Sequence, residues 1–191
     1  MEKELSGKES LALITEMISR AKKEAAGDGG FHLLLWGWVI AICDFAHYGL
    51  AKAGFGAPFV VWLLVIPATV ISAFKSRQLR RQSRVKSHID MVLTELWMVV
   101  YLVIIAMVGF MSVVDFNHNP VILMISGIGV YVTGALLKEK SLKLGALMLG
   151  IGAIVGFLMP VDEQYLVAGI AMVLGYLVPG YYLKKSYREQ F

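Results

Sequence analysis

The strongest constraint on this chain is the way charge alternates between its long apolar runs. Six such runs, at about 31–51, 57–74, 90–113, 120–137, 142–159 and 164–183, occupy most of the 191 residues. At about 1.5 Å of rise per residue, a helix of any of these lengths covers the roughly 30 Å hydrocarbon core of a bilayer. Hydrocarbon offers no partner for an exposed backbone polar group, so such a run crosses as a helix. The gaps between runs then fall alternately on two sides. The segment before the first run holds Lys3, Lys8, Arg20, Lys22 and Lys23, and the second gap holds Lys75, Arg77, Arg80, Arg81, Arg84 and Lys86. Lys138, Lys140 and Lys143 follow in the fourth gap, and Lys184, Lys185 and Arg188 in the tail. The odd gaps hold Lys52 and no other basic residue. Lys and Arg stay on the cytoplasmic side during insertion, so the pattern predicts six spans with both termini cytoplasmic.

The predicted fold is all-α: a polytopic membrane helix bundle with an added N-terminal amphipathic helix. Residues 1–30 form a cytoplasmic helix and Gly-rich linker, 31–183 the membrane domain, and 184–191 a cytoplasmic tail. Composition agrees, with 58% hydrophobic and 17% charged residues, where soluble domains carry about 25% charge. Topology also accounts for the net charge of +4, because basic residues cluster at helix ends, beside anionic lipid. Nucleic acid is not called for as a partner. The single cysteine, Cys43, lies within an apolar run, so no internal disulfide is expected. The first 30 residues are polar and of mixed charge, unlike a cleavable signal, and the first span is expected to stay as an anchor.

Within the head, Ser6 and Glu9 have capping-box spacing. Leu11, Ile14, Met17, Ile18, Ala21 and Ala25 then recur at helical spacing. Gly27-Asp28-Gly29-Gly30 is expected to break the helix. This head either packs under the bundle, lies in the membrane interface or docks on a cytoplasmic protein partner through residues 1–26. Ser87 and Asp90 look like the cap of the third span, and Pro120 opens the fourth where its missing N–H costs nothing. Residues 132–138 (Val-Thr-Gly-Ala-Leu-Leu-Lys) align on 178–184 (Val-Pro-Gly-Tyr-Tyr-Leu-Lys). Either the hairpins arose by duplication or residues common in any span recur by chance.

Asp44 is the polar residue that topology does not explain. It lies about seven residues from the outer end of the first span, and a carboxylate at membrane depth costs about 2.5–3.5 kcal/mol on insertion scales. His47 and Tyr48 follow at i+3 and i+4, on the same helix face. Two readings are open: a proton or cation site in a polar cavity, or a carboxyl that fixes helix register. Glu95, one turn inside the third span, is either a polar step toward Asp44 or an anchor at the membrane edge. Gly152-x-x-x-Gly156 and Ala171-x-x-x-Gly175 have the spacing that lets helices approach closely, within the bundle or across a homo-oligomer seam. Pro67 and Pro179 are expected to bend their spans. Arg77, Arg80, Arg81, Arg84 and Lys86 make a basic loop suited to anionic lipid or a partner. Trp62 and Trp97 fit interfacial anchors.

The chain has no H-E-x-x-H, G-x-S-x-G, P-loop or dinucleotide motif, and its four histidines are scattered, so no metal, cofactor or enzymatic chemistry is predicted. The stretches 34–38 (Leu-Leu-Trp-Gly-Trp), 134–138 (Gly-Ala-Leu-Leu-Lys) and 176–181 (Tyr-Leu-Val-Pro-Gly-Tyr) resemble segments of uncharacterised six-helix bacterial inner-membrane proteins. That resemblance implies a six-helix fold in the inner membrane and no particular activity. Two expectations follow. One is a non-enzymatic structural, regulatory or interaction protein that works through its head and basic loop. The other is a small transporter or channel with its site at Asp44 and His47.

Overall fold

The computed structural model describes residues 7–82 and 88–188. Among them every regular element is helical: α1 (Gly7–Lys52), a 3-10 turn (Pro58–Leu64), α2 (Val65–Gln82), α3 (His88–Gly109), α4 (His118–Leu137), α5 (Lys140–Phe157), α6 (Val161–Met172), a π-helical turn (Val173–Leu177) and α7 (Val178–Arg188). Six stretches are long and apolar enough to cross a membrane: Gly29–Lys52, Pro58–Gln78, His88–Gly109, His118–Leu137, Lys140–Phe157 and Val161–Lys185. The sixth span is thus α6, the π turn and α7 in series. Spans 1, 4, 5 and 6 form the packed body. Spans 2 and 3 flank it and expose most of their apolar side chains.

One expectation is overturned. The chain does not break at Gly27–Gly30, because α1 is a single helix of 46 residues, roughly 69 Å long at about 1.5 Å per residue. Glycine inside a helix costs only about 1 kcal/mol and keeps its N–H for the ladder, unlike proline. Two of these glycines also belong to the span itself, and Gly30 is buried against Leu183. The helix of the first span therefore runs straight into the head. Ser6, Ser87, Arg84 and Lys86 lie outside the described residues, as do the side chains of Ile14, Ile18, Ala21, Ala25, Arg80 and Arg81. The two aligned segments 132–138 and 178–184 also part company. Lys138 ends α4 in the left-handed conformation (φ 61°), whereas α7 continues as helix through 184.

Both prolines change the winding around them. Ahead of Pro67 the chain forms a 3-10 turn, with the Val65 N–H bonded to the carbonyl of Trp62 three residues back. Pro67 has no N–H for a four-residue bond and its ring crowds the preceding turn. Pro179 likewise leaves the carbonyl of Gly175 without its usual donor, and the chain is π-helical just before it. That carbonyl lies against α5. A Cβ on Gly145 would fall 2.7 Å from the Gly175 oxygen and 2.8 Å from Cγ of Pro179.

Small residues set the other close contacts too. Gly152 faces Ala171, where a Cβ would come within 2.5 Å of the alanine methyl, and Gly156 faces Pro120. Gly175 receives the side chain of Leu149. Gly37 in the first span receives Leu177 and Tyr176 of the sixth, the nearest atom 2.7 Å from where a Cβ would sit. The small residues singled out in the sequence thus make contacts within the chain, between spans 4, 5 and 6.

These gaps predict a paired result. Gly152→Ala should destabilise the protein by about 1–3 kcal/mol through overpacking. Gly150→Ala, with nothing within 4 Å of the added carbon, should be neutral or gain up to about 1 kcal/mol from helix propensity. Unfolding of the two purified variants in the same detergent checks both signs.

Candidate functional site

The polar residues of the bundle gather at the end opposite the basic loops, and the first turns of α6 organise them. Proline at 160 caps α6, and the next residues present Glu163, Gln164 and Tyr165 in succession. Glu163 forms an ion pair with Lys52, Oε1 to Nζ 2.6 Å. The lone basic residue among the odd gaps is therefore matched by an acid from the first turn of α6. Nζ of Lys52 also lies 5.5 Å above the ring of Tyr48. Gln164 is buried and donates from Nε2 to Oδ1 of Asn117 at 2.7 Å and to the Met159 carbonyl at 3.3 Å. All three loops on this face are joined through two adjacent residues.

Tyr165 is the centre of an aromatic group. His47 stacks on it, with ring centroids 3.8 Å apart and planes 11° from parallel. His118 meets it edge-on at 6.2 Å, and Trp62 lies at 6.4 Å. The two histidines are held in opposite tautomers. Trp62 donates from Nε1 to Nδ1 of His47 at 3.0 Å, so a neutral His47 carries its proton on Nε2. His118 donates from Nδ1 to the Phe116 carbonyl at 2.9 Å. A second proton on His47 would turn Nδ1 from acceptor to donor and break its bond with Trp62. The loop before α4 is bent to make this contact. Asp115 and Phe116 have φ of 47° and 61°, and for phenylalanine that region costs about 1–2 kcal/mol.

Asp44 lies one helical turn deeper than His47 and is 1% exposed. Among the described residues neither of its carboxylate oxygens finds a hydrogen-bond partner. Nδ2 of Asn119 and Oε1 of Gln164 are also buried without one. The structure thus separates the residues the sequence grouped. Asp44 is enclosed, His47 is occupied by Trp62 and Tyr165, and Tyr48 is directed to Lys52. Glu95 is exposed on α3 with no hydrogen bond to Asp44. Arg77 is exposed on the basic face. Trp62 and Trp97 spend their indole N–H groups inside the bundle, on His47 and on Thr133 at 3.3 Å. No group of three metal-ligating side chains occurs among the described residues.

A second polar contact lies at the basic end. His32 of the first span is bridged by two serines of α2, Ser72 to Nδ1 at 3.1 Å and Ser76 to Nε2 at 3.3 Å. Sequence reasoning missed this clasp and the role of Tyr165. The i, i+4 spacing of the serines was the available signal for the first. Comparison of the chain with protein-family models, curated proteins and solved structures finds no match. Function is therefore read from geometry.

The aromatic group predicts unequal losses. Tyr165→Ala removes the stacked and edge contacts together and should cost about 3–5 kcal/mol. Trp62→Phe keeps a ring in place but removes the donor to His47, for about 1 kcal/mol. Chemical unfolding of both variants in one detergent would check the order, and equal losses would contradict it.

Proposed function

We propose that this chain is a non-enzymatic multi-pass protein of a bacterial inner membrane, with both termini in the cytoplasm, that acts through protein contacts of its N-terminal helix. The observation that carries this reading is the unbroken course of α1. About twenty residues of helix extend beyond the first span, and on them Leu11 and Met17 are 67% and 62% exposed. These two side chains are not packed under the bundle, and a partner's surface would bury them. Rigid continuity gives the arm a use. Burial of its apolar face by a partner would be felt along one helix to the Gly37 and Tyr176 contact with the sixth span. The charge alternation supports the orientation, and the resemblance of 34–38, 134–138 and 176–181 to inner-membrane proteins supports the compartment.

Photo-crosslinking residues placed at 11 and 17 in cells test this reading. The expected result is a discrete protein adduct at both positions, and the same protein should co-purify with the full chain and be lost when residues 1–26 are removed although the chain still inserts. Crosslinking to lipid alone would refute it. For the orientation, Lys52→Cys in a Cys43→Ser background should react with an impermeant maleimide from outside intact cells, and Lys138→Cys should not.

A second reading, a small transporter or channel with a proton- or cation-linked site at Asp44 and His47, draws on the unpartnered carboxylate. Asp44→Asn in proteoliposomes separates the two. The interaction reading expects an inserted, folded variant with no change in proton or cation flux. A flux present in the wild type and lost in Asp44→Asn would establish the transport reading.

A further inference from the structure

We infer that His47 is a pH-dependent latch: when protonated it releases the 3-10 turn at the start of span 2 from the bundle, while the other end of span 2 stays attached. The turn is lightly held. None of its residues is buried, and along the whole of span 2 Ala68 alone is buried. Among the described residues two side-chain hydrogen bonds tie the turn to span 1. Trp62 donates to Nδ1 of His47 at 3.0 Å. The thiol of Cys43, a weak donor, reaches the Val61 carbonyl at 3.2 Å.

Three histidines are hydrogen-bonded in this bundle, and their partners decide which one can act. An indole N–H only donates, so the tie to His47 holds while the ring is neutral and is lost as falling pH charges it. At His32 both partners are serine hydroxyls, which donate or accept as the ring requires, so that clasp survives a second proton. His118 already donates from Nδ1 to a carbonyl, and protonation leaves that bond in place. His47 is half-buried near the end of its span, within reach of a proton from water. Around it stand Asp162, Glu163 and Tyr165 of α6, His118 of α4, and Asp44, Tyr48 and Lys52 of its own helix. Glu163 and Lys52 offset each other as a pair, Asp162 attracts a charge on the ring, and a charged His118 repels it. The face of Tyr165, 3.8 Å away, holds an imidazolium by a cation–π contact. The charged ring therefore stays on span 6 while it lets go of span 2. None of this depends on the N-terminal helix having a partner.

Pulsed electron resonance on the full chain in nanodiscs, at about pH 7.5 and about pH 5, tests the latch across the range in which an ordinary imidazole changes charge. The background is Cys43→Ser, whose hydroxyl keeps a donor for Val61. Spin labels replace Phe59 and Leu158, both exposed at the latch end, or Phe74 and Tyr182, both exposed at the basic end. Acid should raise the fraction of long 59–158 distances about fivefold, the weight of one hydrogen bond, and leave the 74–182 distance unchanged. His47→Asn keeps an acceptor that does not titrate and should hold the short distance at both pH values. Trp62→Phe, with no bond to lose, should show the larger long fraction at both. An unchanged 59–158 distribution in the Cys43→Ser background would overturn the inference. So would an equal shift at both ends, since span 2 would then leave as a whole. An acid response that persists in Trp62→Phe would overturn it as well, because another group would then be titrating.

Discussion

The close approach of backbones in spans 1, 5 and 6 is the constraint on which the rest of this structure depends. Lipid tails are as apolar as leucine, so no hydrophobic force draws spanning helices together once they are inserted. Dispersion contacts have to do that work, and they fall off within about an ångström of separation. Gly145 against Gly175 and Gly37 against Leu177 bring the helices to that distance. Pro179 takes part by freeing the Gly175 carbonyl that faces α5. Spans 2 and 3, which are richer in large side chains than in glycine at their contacts, lie looser on the outside.

That packing positions the polar cluster. Because spans 1 and 6 are locked together near the middle of the bundle, His47 and Tyr165 stack farther out and Lys52 meets Glu163 at the end. The same locking encloses Asp44. A carboxyl shut between helices, with no hydrogen bond from its neighbours, is poorly placed to pass an ion along.

The sequence made the spans legible because both of their signals are local: apolar length and charge at helix ends. Small-residue spacing in α5 and α6 was legible for the same reason, since Gly152 and Gly156 are one turn apart. The site was less so. Asp44 and His47 could be named from span 1 alone, but Trp62, His118, Gln164 and Tyr165 come from other spans, and nothing local announces that these side chains meet at one end of the bundle. Lys52 is an exception to the charge rule that Glu163, in the first turn of α6, pairs with. The expected break at Gly27–Gly30 failed for a different reason. Glycine weakens a helix without forbidding it, and a helix already anchored by a span can carry glycines that an isolated one would not.

The head and the first span are one continuous helix. Spin labels at residues 11 and 42, with the distance between them measured by pulsed electron resonance in nanodiscs, test it most directly. A continuous helix over 31 residues predicts a narrow distribution near 46 Å, at about 1.5 Å per residue. A broad distribution centred well below that value would mean that Gly27–Gly30 is a hinge, and would contradict the account.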